Sequence, residues 1–239
     1  MYEELLDIAV RAAVDSGKIL LQHKQTKINS AVGKDIKLQA DVESEKRVFG
    51  ILKKTGINIL SEEAGYIEKD KKSELCWIVD PLNYSRNIPL NCISIALWQG
   101  DKPVLGVIYD FNRDNLFKGL VGVGAYLNDE KISVSDVVDK SKSIIATGFP
   151  VYSSFDDTTL TEFIKTIQAY KKVRLLGTAA LSLSLVAYGA IEAYSESNIA
   201  FWDVAAGIAL VQAAGGTTEF SFSNKEKQLM NVFVSNERI

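Results

Sequence analysis

Four acidic positions stand where apolar runs end. Asp41 follows KDIKLQA, Glu62 and Glu63 follow INIL directly, Asp80 follows WIV, and Asp203 follows Trp202 at the head of VAAGIALVQAA. Hard divalent cations need several carboxylate oxygens, and Mg2+ keeps part of its water shell and takes further oxygens from a substrate phosphate. Two such ions about 4 Å apart activate a water and neutralise a leaving alkoxide. Each position also has a structural reading. Asp41 and Asp203 suit a helix N-terminus, where a carboxylate accepts free amides and meets the positive end of the dipole. Glu62-Glu63 suits a solvated turn. It is the four together that point to cation chemistry.

Composition removes several rivals. The chain has one histidine, His23, among Gln and Lys at the end of a helical stretch. Read as a surface residue, it leaves nothing for Ser-His-Asp or Cys-His catalysis. Cys76 and Cys92 are too few for a disulfide framework or a tetrahedral zinc site, and both read as buried thiols in a reducing compartment. A net charge of −3 without a basic stripe argues against nucleic acid as a partner. The first residues, MYEELLDIAV, carry acids where a signal peptide needs bases. No apolar run approaches the ~18 residues of a membrane span. The expectation is a cytoplasmic protein with no membrane partner.

The elements that must position these acids follow from periodicity. Apolar residues at helical spacing predict helices over 3–23 and 41–53. Short β-prone runs predict strands at 57–60, 77–79, 93–98, 104–109 and 115–118, a turn and strand in GVGAYLN (122–128), and strands at 144–147, 172–176, 190–194 and 232–235. Further helices are expected near 160–170, after a polar loop, and at 179–188 and 204–214, the last closed by Gly215-Gly216. An α+β half, 1–140, carries the Glu-Glu and Asp-Pro segments. An α/β half, 141–239, carries the Trp-Asp segment. With no repeat or Pro-rich linker between them, the two are expected to share one layered body.

Three segments carry a resemblance: SEEAG (61–65), WIVDPL (77–82) and WDVAAGIALVQAAGG (202–216). They resemble the signatures of the inositol monophosphatase family, Mg2+-dependent, Li+-sensitive phosphomonoesterases that typically form dimers. KDIKLQADVESE and LLGTAALSL (175–183) extend the likeness over nearly the whole chain. The resemblance implies a layered α-β-α-β-α sandwich of the sugar-phosphatase type and hydrolysis of a small phosphate monoester, with inositol 1-phosphate as the default substrate. Fructose 1,6-bisphosphate and other sugar or nucleotide phosphates are alternatives, and so is a fold that binds a phosphate ligand or a partner chain without turnover. It also implies roles. Glu62, Asp80 and the Leu82 carbonyl would hold a first Mg2+, and Asp203 a second one shared with Asp80. Asp41 and Glu63 would orient the attacking water, and the backbone at Gly177, Thr178 and Ala179 would face the substrate.

The second motif departs from the family. There, Asp-Pro-[IL] continues Asp-Gly-[ST]-x-Asn-[FY], whereas here Leu82 is followed at once by Asn83-Tyr84. The economical alignment deletes four residues between Leu82 and Asn83. A second alignment matches Asn83, Tyr84 and Ser85 to the Asp, Gly and hydroxyl residues and puts a bulky side chain where a tight turn wants Gly. Loss of a metal ligand and of a water-holding hydroxyl predicts a rate lower by about 10³-fold or more. In addition, Ala213 stands in QAAGG where the family has a Glu, to which the resemblance assigns a contact with a sugar hydroxyl.

Overall fold

A computed structural model describes residues 1–22, 28–32, 35–83, 88–149 and 156–239, with backbone alone for 28–32 and 35–41. His23, residues 84–87 and the loop at 150–155 lie outside the described residues. The chain order is α1 (Tyr2–Gln22), β1 (Ile28–Val32), β2 (Asp35–Leu38), α2 (Gln39–Leu52), β3 (Asn58–Ser61), β4 (Gly65–Ile67), β5 (Leu75–Asn83), β6 (Cys92–Gln99), β7 (Lys102–Asp110), β8 (Asn115–Leu120), β9 (Gly124–Leu127) and β10 (Glu130–Ile132). It continues with β11 (Ile144–Thr147), α3 (Asp157–Gln168), β12 (Lys172–Arg174), α4 (Ala179–Ala187), β13 (Ala193–Ala200), α5 (Phe201–Ala213), β14 (Thr217–Asn224) and β15 (Leu229–Ser235).

These elements form the layered α-β-α-β-α sandwich expected from the sequence. An eight-stranded sheet, ordered β10-β9-β8-β7-β6-β5-β3-β4, is covered on one face by α1 and α2 and on the other by α4 and α5. A five-stranded sheet, β12-β11-β13-β15-β14, closes the far side of α4 and α5, and α3 stands over its outer face across a cavity of about 210 Å³. Alternation assigns the faces. Trp77 and Val79 of β5, with Ile93, Ile95 and Leu97 of β6, pack under α1 and α2, while Ile78, Cys92, Ala96 and Trp98 face α4 and α5.

α5 is apolar on all sides, as a helix buried between two sheets must be. It lies so close to β7 that a Cβ on Gly106 would come within 2.2 Å of the Ala206 carbonyl oxygen. That contact fixes the height of α5 over the large sheet. Among the described residues no helix is long and apolar enough to cross a membrane.

Several elements exceed or escape the sequence reading. β5 and β13 run longer than expected, β12 stops at Arg174, and β1, β2, β4, β10 and β14 were not expected at all. β14 carries the alternating TTEFSFSN and is legible in hindsight. The others are short, and pairing rather than propensity makes them strands. Two helix starts also move. Asp41 lies inside α2 rather than at its head, and Asp203 is the third residue of α5, whose N-cap is Ala200. The helix-cap reading of Asp203 is therefore wrong: its carboxylate is directed elsewhere.

Candidate active site

β3 and β5 run parallel with Ser61 opposite Val79, so Glu62 and Asp80 come to the same, C-terminal end of the two strands. The Glu62 amide donates to the Val79 carbonyl at 3.2 Å and seals that register. Glu62 and Glu63 sit in the three-residue turn between β3 and β4, closed by Gly65 at φ +67°, a left-handed position suited to glycine. Both glutamates are held by contacts in the structure. Asp41 lies in α2, with its side chain outside the described residues.

Beyond Asp80 the strand carries a bulge. Pairing with β6 shifts between Asp80, opposite Ser94, and Asn83, opposite Cys92. In a regular strand, residues three apart face opposite ways; the extra residue restores them to one face. Leu82 turns to the α1/α2 core, and Asn83 points with Asp80 toward α5. There the Asn83 amide donates to Asp203 Oδ1 at 3.4 Å. The strand thus runs on past Pro81 as far as Asn83.

The electrostatics are unfavourable as they stand. Asp80 is 0% exposed. One oxygen, Oδ1, accepts from the Leu82 amide at 3.1 Å, and the other, Oδ2, has no hydrogen-bond partner among the described residues. Burial first, and then the charge of Asp203, push the Asp80 carboxyl up to about 8, partly offset by Asn83, Leu82 and Glu62. Asp203 is raised well above its ordinary value by burial, then by Glu62 and by Glu196. Asp203 keeps some accessible surface, yet its carboxyl is crowded by protein, and the crowding sets the direction of the shift. Glu62, Asp80 and Asp203, far apart in the chain, thus come close enough to act on one another's charge.

The surroundings hold this edge in place. Ser44 of α2, fully buried, donates to the Pro81 carbonyl and shares a 2.6 Å hydrogen bond with buried Ser16 of α1. Ser61, next to Glu62, donates to Glu45 of α2 at 2.8 Å. On the opposite side Thr178 caps α4, accepting from the Leu181 amide at 3.4 Å, after Gly177 at φ +75°. Ala179 opens the helix, and its free amides suit an anion. The Cys92 thiol links the two sides, touching the Thr178 hydroxyl and the field of Asp80. The sequence reading of Cys92 as an inert buried thiol missed that place in the wall. Cys76 is only half-buried, with its thiol pushed up to about 11 by burial.

Glu196 was missed as well. It is buried in β13, accepts the Tyr194 hydroxyl at 2.5 Å, lies against Gly148 and acts on Asp203. Its one signal in the sequence is an acid inside a strand with no cation beside it. The expectation for Ala213 is overturned by the same geometry. Ala213 ends α5 and packs against Gly119, ten residues from Asp203 and so about 15 Å along the helix. A side chain there cannot reach a ligand held at Asp80 and Asp203; Glu196 is the carboxylate that borders that space.

Among the described residues no three Asp, Glu, His or Cys side chains stand in ready ligand geometry for a metal. The donor chemistry nonetheless fits a hard dication. Buried carboxylates with raised pKa and one orphaned oxygen are what a cation would relieve.

A sandwich of this layering matches solved structures closely. The suhB protein of Bartonella henselae superposes at TM-score 0.87 with 32% identity, covering 98% of this chain and 95% of that one. The inositol monophosphatase of Anabaena superposes at 0.83 with 33% identity, covering 100% of this chain and 92% of that one. By sequence, the inositol-1-monophosphatase of Mesorhizobium japonicum is 34% identical over 225 residues, 89% of this chain and 84% of that protein. The Nus factor SuhB of Xylella fastidiosa is 35% identical over 227 residues, 90% of this chain and 82% of that protein. The profile of the inositol monophosphatase family matches residues 1–232, and the chain belongs to that family of phosphoric monoester hydrolases.

Proposed function

We propose that this protein is a Mg2+-dependent, Li+-sensitive phosphatase of a small phosphate monoester, acting in the cytoplasm as a homodimer, with inositol 1-phosphate the first substrate to test. The observation that carries this reading is the meeting of Glu62, Asp80 and Asp203 at one edge, with Asp80 Oδ2 left unmet. Relatives named inositol-1-monophosphatase support the substrate class.

Glu62, Asp80 and the Leu82 carbonyl would hold the ion, and Asp203 faces the same space from α5. Bound there, Mg2+ would polarise the phosphate and lower the pKa of the attacking water. Asp41 and Glu63 would orient that water by accepting its hydrogen bonds, and one of them would take the single proton it releases on attack. The backbone amides at Gly177, Thr178 and Ala179 hold phosphate oxygens at the N-terminus of α4. Burial of Asp80 and Cys92 keeps bulk water out of the back of the site. No histidine is needed, because the nucleophile is water and no covalent intermediate forms.

The shortened second motif costs this arrangement a carboxylate and a hydroxyl, which sets turnover about 10³-fold below that of a complete site. Phosphate release from inositol 1-phosphate is expected to need Mg2+ and to be inhibited by Li+. Inserting Asp-Gly-Thr-Thr after Leu82 is expected to raise the rate. Release that is indifferent to Mg2+ would overturn the reading. A second reading, ligand binding without turnover, is favoured by the Asn83 amide already seated against Asp203. It predicts Mg2+-dependent thermal stabilisation by a sugar phosphate with no phosphate released.

A further inference from the structure

Asn83 is the neutral member of an otherwise acidic group, and its placement is built in. Its backbone pairs with Cys92 in β6, so the residue cannot swing away without breaking the ladder. The bulge at Pro81 and Leu82 aims its side chain at α5, where the amide nitrogen faces Asp203 Oδ1, and it lies beside Asp80 as well. An amide nitrogen only donates. A donor and a cation compete for the same carboxylate lone pairs, so an ion bridging Asp80 and Asp203 would have to displace the Asn83 N–H. Asp80 Oδ2, by contrast, has no hydrogen-bond partner among the described residues, and Glu62 borders the same carboxyl.

We propose that Asn83 occupies the position between Asp80 and Asp203 in place of an ion, so that this chain takes one divalent cation, on the Glu62–Asp80 side, and closes its Asp203 side with an amide hydrogen bond. The proposal rests on the phosphatase reading for the nature of the ion. The closure itself rests on the bulge and on the Asn83–Asp203 contact. It follows that a single side chain sets how many hard dications the site holds. An Asp at position 83 would supply the charge that a second ion requires. A Ser hydroxyl is too short to reach Asp203 from this backbone, where the longer Asn83 amide stands at 3.4 Å, so it withdraws the donor without adding charge.

The test is Mn2+ titration of the full chain, counting bound ions by the loss of the free-ion electron paramagnetic resonance signal. One ion per chain is expected for the wild type, two for Asn83→Asp, and one tight plus one weaker ion for Asn83→Ser. Circular dichroism establishes that each variant is folded, and the Ser variant carries the test if the Asp variant is not. Two ions in the wild type, or one ion in the wild type and in every folded variant, would overturn the amide closure while leaving the phosphatase reading intact. No bound ion in any of the proteins would overturn both.

Discussion

Glu192 and Asp80 are both buried carboxylates, 6% and 0% exposed, and the fold treats them in opposite ways. Glu192 is answered on both oxygens. Ser135 donates to Oε1 at 3.0 Å and the Ile144 amide to Oε2 at 2.6 Å, so the side chain pins the start of the small sheet. Asp80 has one backbone amide, an unmet oxygen and a second acid beside it. A carboxylate that serves the fold is satisfied by the fold. One left unmet in the interior is a cost that a proton or a ligand removes, and this contrast, rather than burial alone, separates structure from chemistry.

The contrast can be broken most directly by swapping the acids for neutral residues. Asp80→Asn is expected to lower phosphate release by about 10³-fold or more while the melting temperature holds or rises, as followed by circular dichroism. A marked fall in melting temperature would make Asp80 a structural residue like Glu192. Glu192→Ala should do the reverse. It leaves the Ile144 amide and the Ser135 hydroxyl without their acceptor, and urea unfolding is expected to show a loss of about 2–3 kcal/mol with turnover per folded molecule retained.

Proton linkage sharpens the same point. In the folded, metal-free protein Asp80 titrates near 8 against an ordinary carboxylate value of 3.8, so between these values the folded state holds a proton that the unfolded state has released. The contribution of Asp80 to stability is therefore fullest below the ordinary carboxylate value and falls as pH rises through that window, by at most about 1.4 kcal/mol per pH unit. Denaturant melts at several pH values, without and then with Mg2+, measure it. Asp80→Asn should flatten the slope, and Mg2+ should oppose it. The smallest expected effect lies behind the site. Ser44→Ala strips the Pro81 carbonyl of its donor and should cost about 1 kcal/mol, with turnover lowered a few-fold because the Asp80–Leu82 turn is held less firmly.

Much of this was legible in the residues. The long helices and central strands follow from apolar period, and Glu62, Asp80 and Asp203 stand out as acids ending apolar runs. The edge strands β4 and β10 and the hairpin from β1 to β2 did not show, because short strands exist only through their partners. Glu196 and Cys92 were read past for a similar reason: an acid or thiol inside a strand shows its neighbours only when the next layer is in place. The Ala213 expectation failed because distance along a helix is physical distance, and ten residues of α5 separate its ends.

The sequence by itself determined the acids that end apolar runs and, through a family resemblance, the layered fold that carries them. Tertiary structure decided which acids meet and which do not. The parallel register of β3 and β5, the bulge that turns Asn83 onto the face of Asp80, and the close seating of α5 on Gly106 are all long-range contacts. Periodicity fixes the face on which a residue lies; only packing between distant segments fixes what stands opposite it.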